Sequence, residues 1–261
     1  MYRLTDFPLL VFVLSLAALW LCALLGTVMR RSHDARGEKW HGTFTIVLTA
    51  SLTLLGLIIG FTFSMAVTRY DMRKSYEESE ANAIGTEYLR AGLLPASDAA
   101  MTRVLLRSYL DERILFFHTR DNERLGQINE RTTQLQGQLW STVQNAALAQ
   151  PSALTSLAAA GMNDVLNSQG YTQAAWWNRI PPAAWLLVAL IALMCNFMLG
   201  YVAIGPNPRN LMLVVLPLLV SIALFLIADI DSPRSGVIRV SAQNLLSVAE
   251  EIAHTAPSPR Q

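Results

Sequence analysis

At intervals of four residues, Thr53, Leu57 and Phe61 would fall on one face of a helix, and Gly56, Gly60 and Ser64 on the face beside it. A row of small residues lets helices approach closely in lipid. A row of bulkier apolar residues, repeated around a symmetry axis, makes a constriction that controls passage by dewetting. The same row also suits lipid or the core of a bundle, and spacing alone leaves these readings open. Just downstream, Arg69, Arg73 and Lys74 would repeat in an oligomer as basic rings that concentrate anions at a pore exit. They would equally anchor a span end at the membrane interface.

Enzymatic chemistry finds no comparable footing. His33, His41, His118 and His254 are scattered and pair with no Cys or carboxylate at metal-ligand spacing. There is no phosphate-cradling Gly-rich loop and no Gly-x-Ser-x-Gly turn. Glu77, Glu78, Glu80 and Glu87 share a helix with Arg73, Lys74 and Arg90, and all but Glu80 stand three or four residues from one of these bases, so the four read as members of surface ion pairs. Cys22 and Cys195 lie in apolar stretches without disulfide or metal spacing and read as small buried hydrophobes. The sequence implies no enzyme, no cofactor and no resident metal. A net charge of +1 gives no reason to expect a nucleic-acid partner.

The elements that carry these residues belong to a membrane protein. Of 261 residues, 52% are hydrophobic and only 15% charged, whereas soluble domains carry about 25% charge; the mean hydropathy is +0.34. Four apolar segments suffice to cross a bilayer, which takes about 20 residues: Phe7 to Met29, Thr43 to Val67, Ala183 to Ile204, and Leu211 to Ala228, the last with a kink expected at Pro217. The first is too long for a signal peptide and is followed by Arg30-Arg31 rather than a cleavage site, so it reads as a retained anchor.

The expected fold is an all-α membrane protein with four transmembrane helices and a helical extramembrane domain inserted between the second and third. Residues 1–67 form the first hairpin, 68–182 the helical domain, 183–229 the second hairpin and 230–261 a C-terminal tail. Both termini and the helical domain then share one side. Arg30, Arg31, Arg36, Lys39 and Arg209 flank the spans on one side, and Arg3, Arg69, Arg73, Lys74, Arg179, Arg234 and Arg239 on the other. The positive-inside rule separates the two sets by a small margin and places the helical domain in the cytoplasm.

Within that domain, a break at Leu94-Pro95 precedes a helix capped by Ser97 or Asp98, whose apolar face carries Val104, Leu105, Tyr109, Ile114 and Phe117. The polar stretch Asp121 to Gln150 has a thin stripe of Leu125, Ile128, Leu135, Leu139 and Val143, which implies burial against neighbouring subunits. Pro151 and Ser152 begin a further helix that runs to about Trp177. Trp176-Trp177, like Trp20, Trp40 and Trp185, read as interfacial anchors.

The run Gly60 to Asp71, GFTFSMAVTRYD, resembles the neck-forming second transmembrane helix of bestrophins. In that family a Gly-Phe pair is followed, after a short apolar run, by Val-Thr-Arg and an aromatic; here these are Gly60-Phe61 and Val67-Thr68-Arg69-Tyr70. The runs EANAIGTEYLRAGLLP (Glu80 to Pro95) and DIDSPRSGVIRVS (Asp229 to Ser241) are similar to the signature and the end of the bacterial bestrophin-like domain. The resemblance implies a pentameric, anion-selective channel whose neck is lined by Thr53, Leu57 and Phe61. Only Phe61 keeps the aromatic of the family's lower rings. It also implies a calcium clasp after the last span, for which this chain offers Asp229 and Asp231. Two carboxylates fall short of the about six to eight oxygens that calcium takes; a helix-end cap or an ion pair to Arg234 would occupy them instead.

The expected function is therefore a bestrophin-like ion channel, a homopentamer in the lipid bilayer of a bacterial inner membrane, passing monovalent anions. The alternative is a non-conducting, membrane-anchored interaction or signalling module that uses its helical domain.

Overall fold

A computed structural model of the chain describes residues 4–34, 41–203 and 212–255. The expected short connections with Arg36, Lys39 and Arg209, together with Trp40, lie outside the described residues. The described residues form no strand, and the chain is an all-α membrane protein with four helices long and apolar enough to span a bilayer. After a 3-10 turn at Leu4–Asp6 come α1 (Pro8–Asp34), α2 (His41–Arg90), α3 (Ala96–His118), α4 (Asn122–Ala149), α5 (Ala153–Trp177), α6 (Pro182–Val202), α7 (Met212–Asp231) and α8 (Gln243–Thr255). The chain divides into two compact units, Met1–Tyr70 with Arg179–Arg239, and Asp71–Asn178 with Val240–Gln261.

Helix α2 contributes to both units. Its 50 residues rise about 75 Å at 1.5 Å each, far more than the about 30 Å of hydrocarbon in a bilayer. The apolar part ends at Val67; from Arg69 onward the helix is densely charged. Each part has its own buried stripe: Leu48, Leu55, Thr62 and Ala66 in the apolar part, and Arg73, Glu77, Glu80, Ile84 and Glu87 in the charged part. Steps of three, four or seven residues keep such a stripe on one side of a helix.

The first unit is built around α1, α6 and α7 with the apolar part of α2. Leu48 and Leu55 join Val188, Cys195, Val220 and Leu224 in one core cluster, and Ala66 joins Ile180, Ile227 and Ile230 in a second. Helices α1 and α6 cross at a pair of glycines. A Cβ on Gly200 would collide with the carbonyl oxygen of Ala23 and lie 2.7 Å from its carbonyl carbon; one on Gly26 would strike the Phe197 carbonyl and lie 2.8 Å from the Tyr201 nitrogen. Backbone-to-backbone approach of this kind is what small residues permit in lipid. Here it is made by Gly26 and Gly200, neither of which stands on the glycine-serine row of α2. Helix α7 continues through Pro217.

The second unit holds α3, α4, α5, α8 and the charged part of α2. The α4 stripe of Leu125, Ile128, Leu135, Leu139 and Val143 is buried inside the protomer, so it does not wait for neighbouring subunits as its thinness suggested. Asp121 caps α4, accepting from the Arg124 amide, and Ser152 caps α5 in a reciprocal box with Thr155. Neither Ser97 nor Asp98 caps α3, whose first turn begins after Pro95 with no side-chain cap.

The buried face of α3 also differs from the expected one. It runs Ala99, Thr102, Leu106, Tyr109, Leu110, Arg113, Phe116 and Phe117, while Val104 is 61% exposed. Trp176 is buried in this unit, edge-on to Phe116 at 5.1 Å and Phe117 at 5.4 Å; it is a core residue rather than an interfacial anchor, while Trp177 is exposed. The expected tail contains α8, whose Leu245 and Ile252 are buried.

Candidate functional site

In the first unit, Leu57 is 53% and Phe61 60% exposed, and Thr53 is exposed beside them. These three stand on the solvent- or lipid-accessible side of α2, opposite the stripe that Leu48, Leu55, Thr62 and Ala66 bury in the protomer. Gly56, Gly60 and Ser64 are exposed as well. A Cβ built on Gly56 or Gly60 would meet nothing within 4 Å, so no close packing uses them within one protomer. Both rows are thus free for contact with something outside the single chain.

The three expected exit charges separate. Lys74 is exposed and Arg69 half-buried. Arg73 is 1% exposed in the second unit, where its Nε donates to the Ala175 carbonyl at 3.3 Å and its Nη2 to the Asn178 carbonyl at 3.4 Å. Those carbonyls close the C-terminal end of α5, the negative end of its dipole, and the Arg73 charge is spent there.

One turn along α2, Glu77 performs the opposite task. Its carboxylate accepts from the amides of Asn244 at 2.9 Å and Leu245 at 3.0 Å, and from the Asn244 side chain at 2.6 Å. It therefore caps the first turn of α8, whose free amides attract an anion. Glu80 forms a fully buried pair with Arg113 of α3, both side chains at 0% exposure. Thr172 of α5 donates to Glu80 Oε2 at 2.7 Å, and the Arg113 guanidinium lies 4.4 Å from the centre of the Phe116 ring. Burial opposes the Arg113 charge most strongly, but Glu80 and Tyr109 together outweigh it and raise the guanidinium pKa; burial and then Glu80 drive the neighbouring Tyr109 phenol upward as well. Glu77, Glu80 and Glu87 are thus buried rather than members of surface ion pairs. Only Glu78 lies on the exposed side.

At the end of α7, Asp229 and Asp231 are buried. Asp229 accepts from the Val237 and Ile238 amides, each at 2.8 Å, and Asp231 accepts from the Ile180 amide at 3.1 Å. Gly236 packs so closely on the Asp229 carbonyl that no Cβ fits. These carboxylates hold the turn after the last span, and among the described residues no group of three or more His, Cys, Asp or Glu could hold a metal ion. Asp229→Ala will remove the acceptor of two amides in a partly buried turn and cost about 1 kcal/mol. The expected readout is a lower thermal midpoint with faster amide exchange at Val237 and Ile238; unchanged exchange there would contradict the clamp.

Apolar spans, a glycine-made helix crossing and a long second helix that carries an exposed row define an all-helical, multi-pass integral membrane protein. The chain belongs to the bestrophin-like family, whose domain profile matches residues 10–245. Its fold is similar to that of crystal structures of a bacterial bestrophin homolog from Klebsiella pneumoniae. One point-substituted form superposes with a TM-score of 0.67 at 13% identity, covering 92% of this chain and 97% of that chain. A structure phased with zinc gives a TM-score of 0.63 at 14% identity over 91% and 98%. No functionally curated protein matches the chain.

Proposed function

We propose that this chain assembles as a homopentameric ion channel permeable to monovalent anions. Thr53, Leu57 and Phe61 line its neck, and Gly56, Gly60 and Ser64 pack against the neighbouring subunit. The observation that carries this reading is the exposed row on α2, with Leu57 at 53% and Phe61 at 60%, in a member of the bestrophin-like family. Large apolar side chains left open on a spanning helix fit a ring of copies as well as lipid, and a ring of Phe61 and Leu57 would gate by dewetting. Lys74 and Arg69 supply the basic charge at the exit, since Arg73 is engaged elsewhere. The helical segment 68–182 sits in the cytoplasm of a cell whose inner membrane holds the spans. No residue constellation supports catalysis.

The non-conducting scaffold would use the helical domain, whose α4 stripe is buried within the protomer. Reconstituted in planar bilayers, the wild-type protein will conduct anions. Phe61→Ala and Leu57→Ala will widen and wet the neck, raising conductance and weakening discrimination between anions. A monomer or dimer by native mass spectrometry, together with absence of ion flux, would remove the channel reading.

A further inference from the structure

Glu87 is the one charged side chain of the buried α2 stripe whose position remains unexplained. The residue is 0% exposed, and neither carboxylate oxygen has a hydrogen-bond partner among the described residues. It faces α5 at Gly161, where an added Cβ would run into Glu87 Oε2 and lie 2.6 Å from Arg90 Nη1. Gly161 therefore leaves the space that the carboxyl fills. Of the charges around it, Arg90 belongs to α2 itself and Asp164 to α5, and these two lie 4.0 Å apart. Arg103 of α3 is directed to the Tyr88 carbonyl at 3.4 Å and the Tyr88 ring. Arg90 thus divides its charge between two carboxylates, one of them solvent-facing. An ionised carboxylate without donors is among the most costly groups to bury, whereas a protonated one is tolerated. Glu87 also lies 20 positions beyond Val67, well past the apolar part of α2.

We propose that Glu87 is a proton-binding site of the second unit, held uncharged at neutral pH against Gly161, and that loss of its proton loosens α5 from α2. Burial, opposed by Arg90 and reinforced by Asp164, raises its pKa from 4.5 to about 8. The folded chain then holds this proton more tightly than the unfolded chain does. Stability from this group is complete below about pH 4.5, declines as pH rises toward 8, and levels off once both states are ionised. The α2–α5 contact becomes responsive to pH near neutrality, independently of any conduction.

The full-length protein in detergent tests this. Thermal midpoints of wild type and Glu87→Gln, measured from about pH 5 to about pH 9, should converge at the acid end and diverge toward pH 8, with wild type falling below the variant. A difference that stays constant with pH overturns the proposal. Infrared spectra of the wild type alone decide the matter if Glu87→Gln does not fold. A carboxylic-acid carbonyl band present near pH 7 and lost by about pH 9 is expected, and its absence at pH 7 overturns the assignment.

Discussion

Arg113→Ala will destabilise the second unit by about 3–5 kcal/mol, the cost of leaving one member of a buried ion pair without the other. Glu80 would keep only the 2.7 Å bond from Thr172, in surroundings that expose neither its side chain nor that of Arg113. The loss exceeds that of an ordinary core truncation in kind, because an uncompensated charge must ionise without a partner, take up a proton or admit water. The guanidinium also covers the Phe116 ring at 4.4 Å, next to Trp176, so the aromatic core loses its lid. Arg113→Lys will recover little, since a point ammonium cannot reproduce the fork across both Glu80 oxygens. Adding Glu80→Gln to Arg113→Ala should restore part of the loss by removing the stranded charge. Thermal midpoints of the detergent-solubilised protein and limited proteolysis within 71–178 measure this. If Arg113→Ala leaves both unchanged, the pair does not hold α2 to α3.

Gly200→Leu is the second large effect, expected to cost about 3 kcal/mol or to prevent accumulation of folded protein. The space at Gly200 is bounded by the backbone of Ala23, with the Cα of that residue 3.0 Å from a hypothetical Cβ. Backbone cannot rotate away as a side chain can, so α1 and α6 must separate along their crossing. Gly60→Leu is the matched comparison on α2, because nothing lies within 4 Å of its Cβ position. It should leave the protomer's thermal midpoint nearly unchanged while altering assembly, if the neighbouring subunit packs there as proposed. Equal effects of Gly200→Leu and Gly60→Leu on protomer stability would refute the crossing.

These experiments mark the division between what was legible in the sequence and what was not. The four spans could be read directly, because twenty or so apolar residues have few alternatives to a membrane helix. The helix start at Pro151-Ser152 was equally legible, and the polar stretch from Asp121 coincides with α4; the structure adds that the Asp121 and Ser152 side chains cap α4 and α5. The α3 face was misread because Arg113 sits in its middle: an apolar count skips an arginine, although Thr102, Leu106, Tyr109, Arg113 and Phe116 keep strict helical spacing. Glu77 and Glu80 read as surface residues because bases on the same helix, one turn from Glu77 and two turns from Glu80, offer local partners. The real partners lie 167 and 33 positions distant, on α8 and α3.

By itself, then, the sequence determined that this protein is helical, spans a membrane four times, and carries Thr53, Leu57 and Phe61 in one register on its second span. Periodicity and apolar length are local properties, and local physics enforces them. Tertiary structure alone decided which glycines bring helices together, and it buried Arg73, Glu77, Glu80 and Glu87 in four different environments. A charge takes its meaning from the dipoles and counter-charges folded around it. Those come largely from remote parts of the chain: the end of α5 for Arg73, the start of α8 for Glu77, Arg113 for Glu80, and for Glu87 the space at Gly161 with Asp164 beyond it.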